Sequence, residues 1–397
     1  MQIVRTFGHL VGGSLLVAGT CIGVGMLALP IATAESGFIP SLSVYILCWV
    51  FMLCTGLLIL EACIWMPKNA NLITLSTKLL GKWGKASCWI LYLFLFSCLM
   101  VAHIAGGGNV VAELSRGILP NWAGTLLYVL LFSPVVYFGA LWVDRANLIL
   151  MVGIVITYLT FAVTTISYVD TSHLARADWG KVWWALPVVF TAFGYQTLIP
   201  TLFNYMNRNV KKVRLTLIIG TTIPLILYAV WELLILGIVP YEGKGGLHEA
   251  LMSARSAVSP LSNYLRNPTL LTIGSSFALF AMTTSYLGIS IAFVDFLIDG
   301  LKLSRKKSSK ATICAVIFLI PMILTLIDPH LFLSALGYAG GIGVALLLGA
   351  MPVLMVWAGR YYQGHSLLHV QLPGGKITLS AMLLFIVVEV AITLFRS

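Results

Sequence analysis

Three adjacent hydroxyls, Thr283, Thr284 and Ser285, interrupt the apolar run FALFAMTTSYLGIS. Inside a hydrophobic segment, hydroxyls either bond back to their own helix carbonyls or act as oxygen ligands for a cation or a substrate. His103 precedes AGGGN, which ends in Asn109. It is either a hydrogen-bonded member of a glycine packing face or a group that titrates near neutral pH or touches a substrate. Glu232, Asp295 and Glu389 also lie deep in apolar runs. Each is a candidate proton carrier or a member of a structural ion pair or hydrogen bond. Glu61 and Asp299 fall near run ends, where an interfacial position is expected. The sequence contains no P-loop, HExxH or GxSxG motif and no Cys/His cluster. The chemistry of an enzyme is therefore not expected, nor a metal or a cofactor. None of the seven cysteines forms a CxxC pair, and all lie in or beside apolar runs as reduced, small hydrophobes.

A different kind of feature lies near the N-terminus. GTCIGVGMLALP, residues 19–30, places Gly19, Gly23 and Gly25 and then Pro30 inside an apolar run. Residues 23–28 match the dinucleotide fingerprint G-x-G-x-x-A, but that motif needs a preceding strand, and an apolar helix surrounds it here. Two readings stand. Small residues let membrane helices pack closely. Alternatively, glycine frees the backbone from helical dihedrals and proline removes a donor, which breaks the helix. Unwound backbone is tolerated in a bilayer only where it is buried or lines a cavity, and there it offers N–H and C=O groups to a ligand.

The elements that carry these residues follow from composition. Only 9% of the 397 residues are charged and the mean hydropathy is +0.99, against about 25% charged in a soluble domain. Apolar runs of membrane-spanning length recur from end to end. The chain reads as an all-α polytopic membrane protein with about 11 transmembrane helices, near 7–34, 37–65, 86–114, 121–141, 147–169, 183–206, 215–239, 268–299, 311–328, 331–357 and 377–395. Residues 241–267 read as an extended loop with a short surface helix. The net charge of +11 reflects loop bases facing the cytoplasm, with no nucleic-acid partner implied. Lys68, Lys78, Lys82 and Lys85, then Arg208, Lys211, Lys212 and Arg214, then Lys302, Arg305, Lys306, Lys307 and Lys310 crowd alternate loops. The intervening loops hold fewer: Arg116, then Arg176 and Lys181, then Lys244, Arg255 and Arg266. This bias puts the N-terminus in the cytoplasm and the C-terminus outside.

The sixth span supplies an echo of the first. VVFTAFGYQTLIPTLFNYMNRN has Gly194 near its middle and Pro200 six residues on. Secondary transporters carry interrupted helices at matching positions of inverted repeats, and an offset of five spans inverts the second copy. This match favours the broken-helix reading. Each break exposes a half-helix N-terminus with partial positive charge and a C-terminus with partial negative charge. An amino acid zwitterion fits such a pair. Its carboxylate can accept from N–H groups around Gly23 and Gly25, and its amino group can donate to carbonyls near Thr20 and Phe193. Tyr195 and Gln196 lie inside the second break, where each either contacts the substrate or packs against span 1. Phe193 can form an apolar wall.

GGSLLVAGTCIGVGMLALP, FGYQTLIPTL and the eleven spans together resemble the bacterial aromatic amino acid permeases. These form the hydroxy/aromatic amino acid permease family of the amino acid/polyamine/organocation superfamily, and the likeness is strongest to its tyrosine-specific members. The resemblance implies a leucine-transporter-like fold: inverted five-helix repeats at about 7–169 and 183–357, and an extra helix at about 377–395. It implies import of tyrosine or another aromatic amino acid across the bacterial inner membrane by proton symport with alternating access. The family's binding segments map onto Gly19, Thr20, Ile22, Gly23 and Gly25, and onto Phe193, Gly194, Tyr195 and Gln196. Thr283, Thr284, Ser285, His103 and Asp295 are the candidates for ion coupling. Some proton-coupled relatives carry a lysine in span 5, and NLILMVGIVITYLTFAVTTISYVD has none. Sodium-coupled transport of a neutral amino acid is thus the alternative, with Thr283 and Thr284 as suitable ligands. A channel or a non-transporting sensor is the rival from another class. The spans lack the continuous polar stripe of a channel.

Overall fold

The structure is a computed structural model, and it describes residues 2–68, 70–115, 118–253, 256–265, 267–303, 307–365 and 370–396. Among them, ten helices are long and apolar enough to cross a membrane, and eleven when one bent pair is counted as a single span. That pair is α1 (Gln2–Cys21) and α2 (Val24–Thr33), bent by 52°. The next spans are α3 (Phe38–Ile64), α4 (Leu72–Leu114), α5 (Asn121–Phe138) and α6 (Ala140–Thr165). The sixth span, Val182–Tyr205, holds α7 (Leu186–Ala192) and α8 (Ile199–Tyr205) on either side of a break. Then come α9 (Val210–Ile238), the short α10 (Leu247–Met252) and α11 (Leu261–Tyr264), α12 (Pro268–Gly300) and α13 (Lys307–Ile327). The tenth span joins α14 (Leu331–Tyr338) to α15 (Met351–Tyr361) through a π-helical stretch, Ala339–Ala350, and α16 (Gly375–Arg396) is the last. Arg116, Arg255, Arg266, Arg305 and Lys306, which contribute to the charge bias, lie outside the described residues.

Packing pairs recur when five spans are added. α6 lies along α12 (spans 5 and 8), and α4 lies along α14 and the π-helical stretch (spans 3 and 10). α1 packs on α9 (spans 1 and 7), and α3 on α7 and α8 (spans 2 and 6). α4 meets α13, and α12 meets α5. This is the leucine-transporter-like arrangement of inverted five-helix repeats with an extra helix. The outer helices turn Leu130, Leu148, Ile149, Val163, Leu384 and Phe395 outward, as lipid-facing surfaces require.

Three local features depart from the expected spans. α4 starts at Leu72, well before the expected 86, because Leu72, Leu75 and Leu79 bury one face of a first segment. Gly81, with a φ of 70°, then turns the chain into the spanning part. The tenth span is wound as a π-helix where its glycines meet neighbours. A Cβ at Gly340 would strike the Pro187 carbonyl of α7, and one at Gly341 the Thr393 hydroxyl of α16. The 241–267 segment holds two short helices and dips inward. Ala257, Val258 and Leu261 are buried, and the Ala257 N–H donates to Leu27 O of α2 at 3.2 Å.

Candidate binding site at the paired helix breaks

α1 stops at Cys21 because the chain leaves helical dihedrals at Gly23, with φ −173° and ψ −144°. No side chain caps the N-terminus of α2. Its first-turn N–H groups therefore have no intrahelical acceptor and carry the positive end of the dipole. In span 6, α7 stops at Phe193 (φ −106°, ψ 23°), and a 3-10 turn from Gln196 leads into α8. The two breaks touch. A Cβ built on Gly25 would lie 2.8 Å from Ala192 Cα, so only glycine allows this approach.

Where the breaks meet, Tyr228 of α9 reaches in. Its hydroxyl lies 2.6 Å from Cys21 O and 2.8 Å from Ala192 O. These carbonyls end α1 and α7, so two negative half-helix termini converge on one point. A hydroxyl has one hydrogen; the two carbonyls must share it. The convergence point thus has acceptor capacity to spare, within reach of an uncapped helix N-terminus.

The proposed contact residues divide into three groups. Gly23 is buried against α12, where a Cβ would lie 2.7 Å from Ser285 Oγ. Phe193 is fully buried, with its ring edge-on to Tyr228 at 5.3 Å between centroids. Ile22 and Gly194 are half-buried, and a Cβ at Gly194 would lie 3.4 Å from the Thr191 carbonyl. A second group is engaged in holding the breaks. Gln196 donates to Met52 O at 3.2 Å and Thr55 Oγ1 at 3.1 Å, and accepts from Tyr195 N at 2.9 Å. The Tyr195 hydroxyl also donates to Met52 O, at 3.2 Å. Both side chains thereby pin the second break to α3. A Cβ at Gly19 would lie 3.7 Å from the Met151 side chain of α6. Thr20 is exposed, and its hydroxyl bonds back to Val17 O at 2.7 Å.

The third group comprises the ion-coupling candidates. His103 Nε2 lies 2.8 Å from Ser285 Oγ, and its Nδ1 lies 2.6 Å from Leu99 O. The histidine thus connects α4 to the residue facing Gly23. The hydroxyls of Thr283 and Thr284 are buried with no hydrogen-bond partner. Asp295 stands apart: it is exposed, and ten residues of helix place it about 15 Å along α12 from Ser285. The AGGGN glycines make a packing face. Gly106 lies against Met282 and Phe332, Gly107 against Tyr128, and Gly108 against Thr125.

Residues 7–393 match the tryptophan/tyrosine permease family along nearly the whole chain. The chain belongs to that family. A tryptophan-specific transport protein of Haemophilus influenzae is 30% identical over 95% of this chain and 93% of its own length. Tyrosine-specific transport system 1 of the same organism is 30% identical over 94% and 93%. Among solved structures, MhsT in complex with L-phenylalanine superposes with a TM-score of 0.68 at 14% identity, covering 97% of each chain. That likeness shows the shared fold. The chain is thus a multi-pass aromatic amino acid permease of a bacterial family, and it is not an enzyme.

Several residues of the permease's centre carry no local sequence signal. Tyr228 looks like an ordinary aromatic in an apolar run, and only the fold brings its hydroxyl to both breaks. Gly56 is a lone glycine in α3, yet a Cβ there would strike the Tyr195 hydroxyl. Glu61, expected at an interface, is buried at 1% exposure. It accepts a bidentate bond from Arg360 at 2.6 and 2.7 Å and a third bond from Gln371 N at 2.8 Å. The pair ties α3 to α15, and its partners lie about 300 positions apart in the sequence.

Proposed function

We propose that the permease imports tyrosine, or another aromatic amino acid, by proton symport with alternating access. One observation carries the reading: two half-helix C-termini converge on the Tyr228 hydroxyl beside an uncapped half-helix N-terminus. The substrate ammonium would share the carbonyls of Cys21 and Ala192, and its carboxylate would take the free N–H groups of α2. Phe193 and Tyr228 offer aromatic faces to the ring. The names of the tryptophan- and tyrosine-specific relatives support an aromatic substrate. In this reading the repeats span about 7–169 and 183–357, and α16 is the extra helix. The alternating charge of the loops supports a cytoplasmic N-terminus and an external C-terminus in the bacterial inner membrane.

Sodium coupling is the second reading. The unpartnered hydroxyls of Thr283 and Thr284 on α12 favour it. Uptake of radiolabelled tyrosine into proteoliposomes separates the two. Proton symport predicts accumulation that follows an imposed pH gradient and survives removal of sodium. Accumulation that requires a sodium gradient and ignores pH would establish the second reading.

A further inference from the structure

Glu232 of α9 is fully buried, and among the described residues no lysine, arginine or histidine pairs with it. Its surroundings count hydrogens in an informative way. Thr33 Oγ1 lies 2.6 Å from Glu232 Oε1 and also 2.7 Å from Leu29 O, and Tyr45 Oη lies 2.6 Å from Glu232 Oε2. Three short oxygen contacts meet here, and each is satisfied in full by a hydrogen of its own. The threonine and the tyrosine supply one each, and the Leu29 carbonyl supplies none. A neutral carboxyl brings the third, so that no hydrogen is shared: Glu232 then donates from Oε1 to Thr33, Thr33 donates to Leu29 O, and Tyr45 donates to Oε2.

We infer that Glu232 is the proton-carrying group of the permease and holds its proton in this structure. The inference rests on the proton-symport reading above. Loss of the proton leaves a carboxylate that draws the Thr33 hydroxyl away from Leu29 O, because a charged acceptor makes the stronger bond. The resulting ion is buried without a countercharge, which is costly. Glu232 can therefore release its proton only when water or a cation reaches it, as one of two alternating conformations would permit. Thr33 belongs to the half-helix α2, so the proton governs how α2 is held to α9. The same face of α9 presents Tyr228 four residues earlier, one turn away, with its hydroxyl on both breaks. Proton and substrate sites thus share α9 and the half-helix α2 beside it.

Ionisable groups on elements packed against α9 include the following. Tyr45 of α3 touches the carboxyl. Elsewhere on α3, Cys48 is a buried thiol and Glu61 is paired with Arg360. Cys21 of α1 offers its carbonyl to Tyr228, and Tyr158 of α6 donates to Leu227 O at 2.9 Å. His173, in the turn beyond α6, has Nδ1 3.0 Å from Gly237 O. Past the end of α2, Glu35 is paired with Lys181 at 2.8 Å, and Arg176 donates to its carbonyl. Tyr168, Tyr205 and Tyr264 sit on the turn after α6, on α8 and on α11. Lys211, Lys212 and Arg214 begin α9, about 27–32 Å from Glu232 by helical rise. Glu389 of α16 is also buried, but its carboxyl oxygens have no hydrogen-bond partner, and its helix packs chiefly on the π-helical stretch of the tenth span.

Reconstituted permease tests the assignment. Glu232→Gln fixes the side chain in a neutral form, and a proton gradient drives transport only through a difference in proton binding. The variant should keep tyrosine exchange between loaded and external pools, while its accumulation ratio under a pH gradient falls to about one. Glu232→Asp should restore accumulation, and Glu389→Gln should leave it intact. Infrared difference spectra of the wild type with and without tyrosine should carry a protonated-carboxyl band that Glu232→Gln lacks. Accumulation by Glu232→Gln at the wild-type level, or the same band in that variant, overturns the assignment and leaves proton symport standing. A wild type that ignores the pH gradient overturns the symport reading itself.

Discussion

Replacing Gly25 by alanine places a methyl carbon 2.8 Å from Ala192 Cα, 3.0 Å from Ala192 Cβ and 3.2 Å from Ala192 N. All three atoms are backbone or fixed to it, so no flexible side chain can yield. Ordinary carbon contacts begin near 3.5 Å, so the first turn of α2 and the last turn of α7 must separate by about 0.7 Å. Overpacking of this kind costs about 1–3 kcal/mol, which corresponds to about a 5- to 150-fold change in an equilibrium constant. The cost falls on the gap between the α2 N-terminus and the α7 carbonyl, so tyrosine affinity should weaken by a factor in that range. Isothermal titration of purified permease with tyrosine reads it directly. Gly288→Ala on α12 is the matched control, because a Cβ there meets nothing within 4 Å; its affinity should not change. Wild-type affinity in Gly25→Ala would refute the claim that the breaks are held together to form the site.

Other perturbations probe the elements that hold the breaks. Arg360→Ala leaves the buried Glu61 carboxylate without its cation and should lower stability by about 3–5 kcal/mol, read as a fall in melting temperature in detergent. Gln196→Leu removes two donors and an acceptor buried between the second break and α3. Stranded partners of this kind cost about 1–3 kcal/mol each, so thermal stability and tyrosine binding should both fall. Tyr195→Phe should be milder, at about 0.5–1.5 kcal/mol, because Gln196 still donates to Met52 O. Outside the spans, the hydrogen bond from Lys181 to Glu35, followed by their charge attraction, raises the lysine pKa. The stabilisation is then present below the ordinary lysine range and lost as pH rises through the raised value. The stability gap between wild type and Lys181→Met should close at strongly alkaline pH.

The spans were legible because a bilayer demands long apolar runs, and the broken first helix was legible because glycine and proline mark it locally. The second break was found by symmetry, from Gly194 and Pro200 five spans later. What escaped the sequence depends on distance in the chain. Tyr228 serves Cys21 and Ala192 from positions 207 and 36 residues away, and nothing in LILYAVWELL marks its role. Glu61 looked interfacial because its partner Arg360 lies in the tenth span, 299 residues away in the chain. The start of α4 was read as loop because its polar face hides a buried stripe of leucines. Tyr195 and Gln196 lay inside the break as expected, but their polar atoms face α3.

A structure of the permease with bound tyrosine tests the central claim most directly. The ligand's carboxylate should lie within hydrogen-bond distance of the α2 N-terminal N–H groups beside Gly23 and Gly25. Its ammonium should lie against the carbonyls of Cys21 and Ala192, with the Tyr228 hydroxyl displaced or shared. Tyrosine bound elsewhere, with the two breaks unchanged and empty, would contradict it.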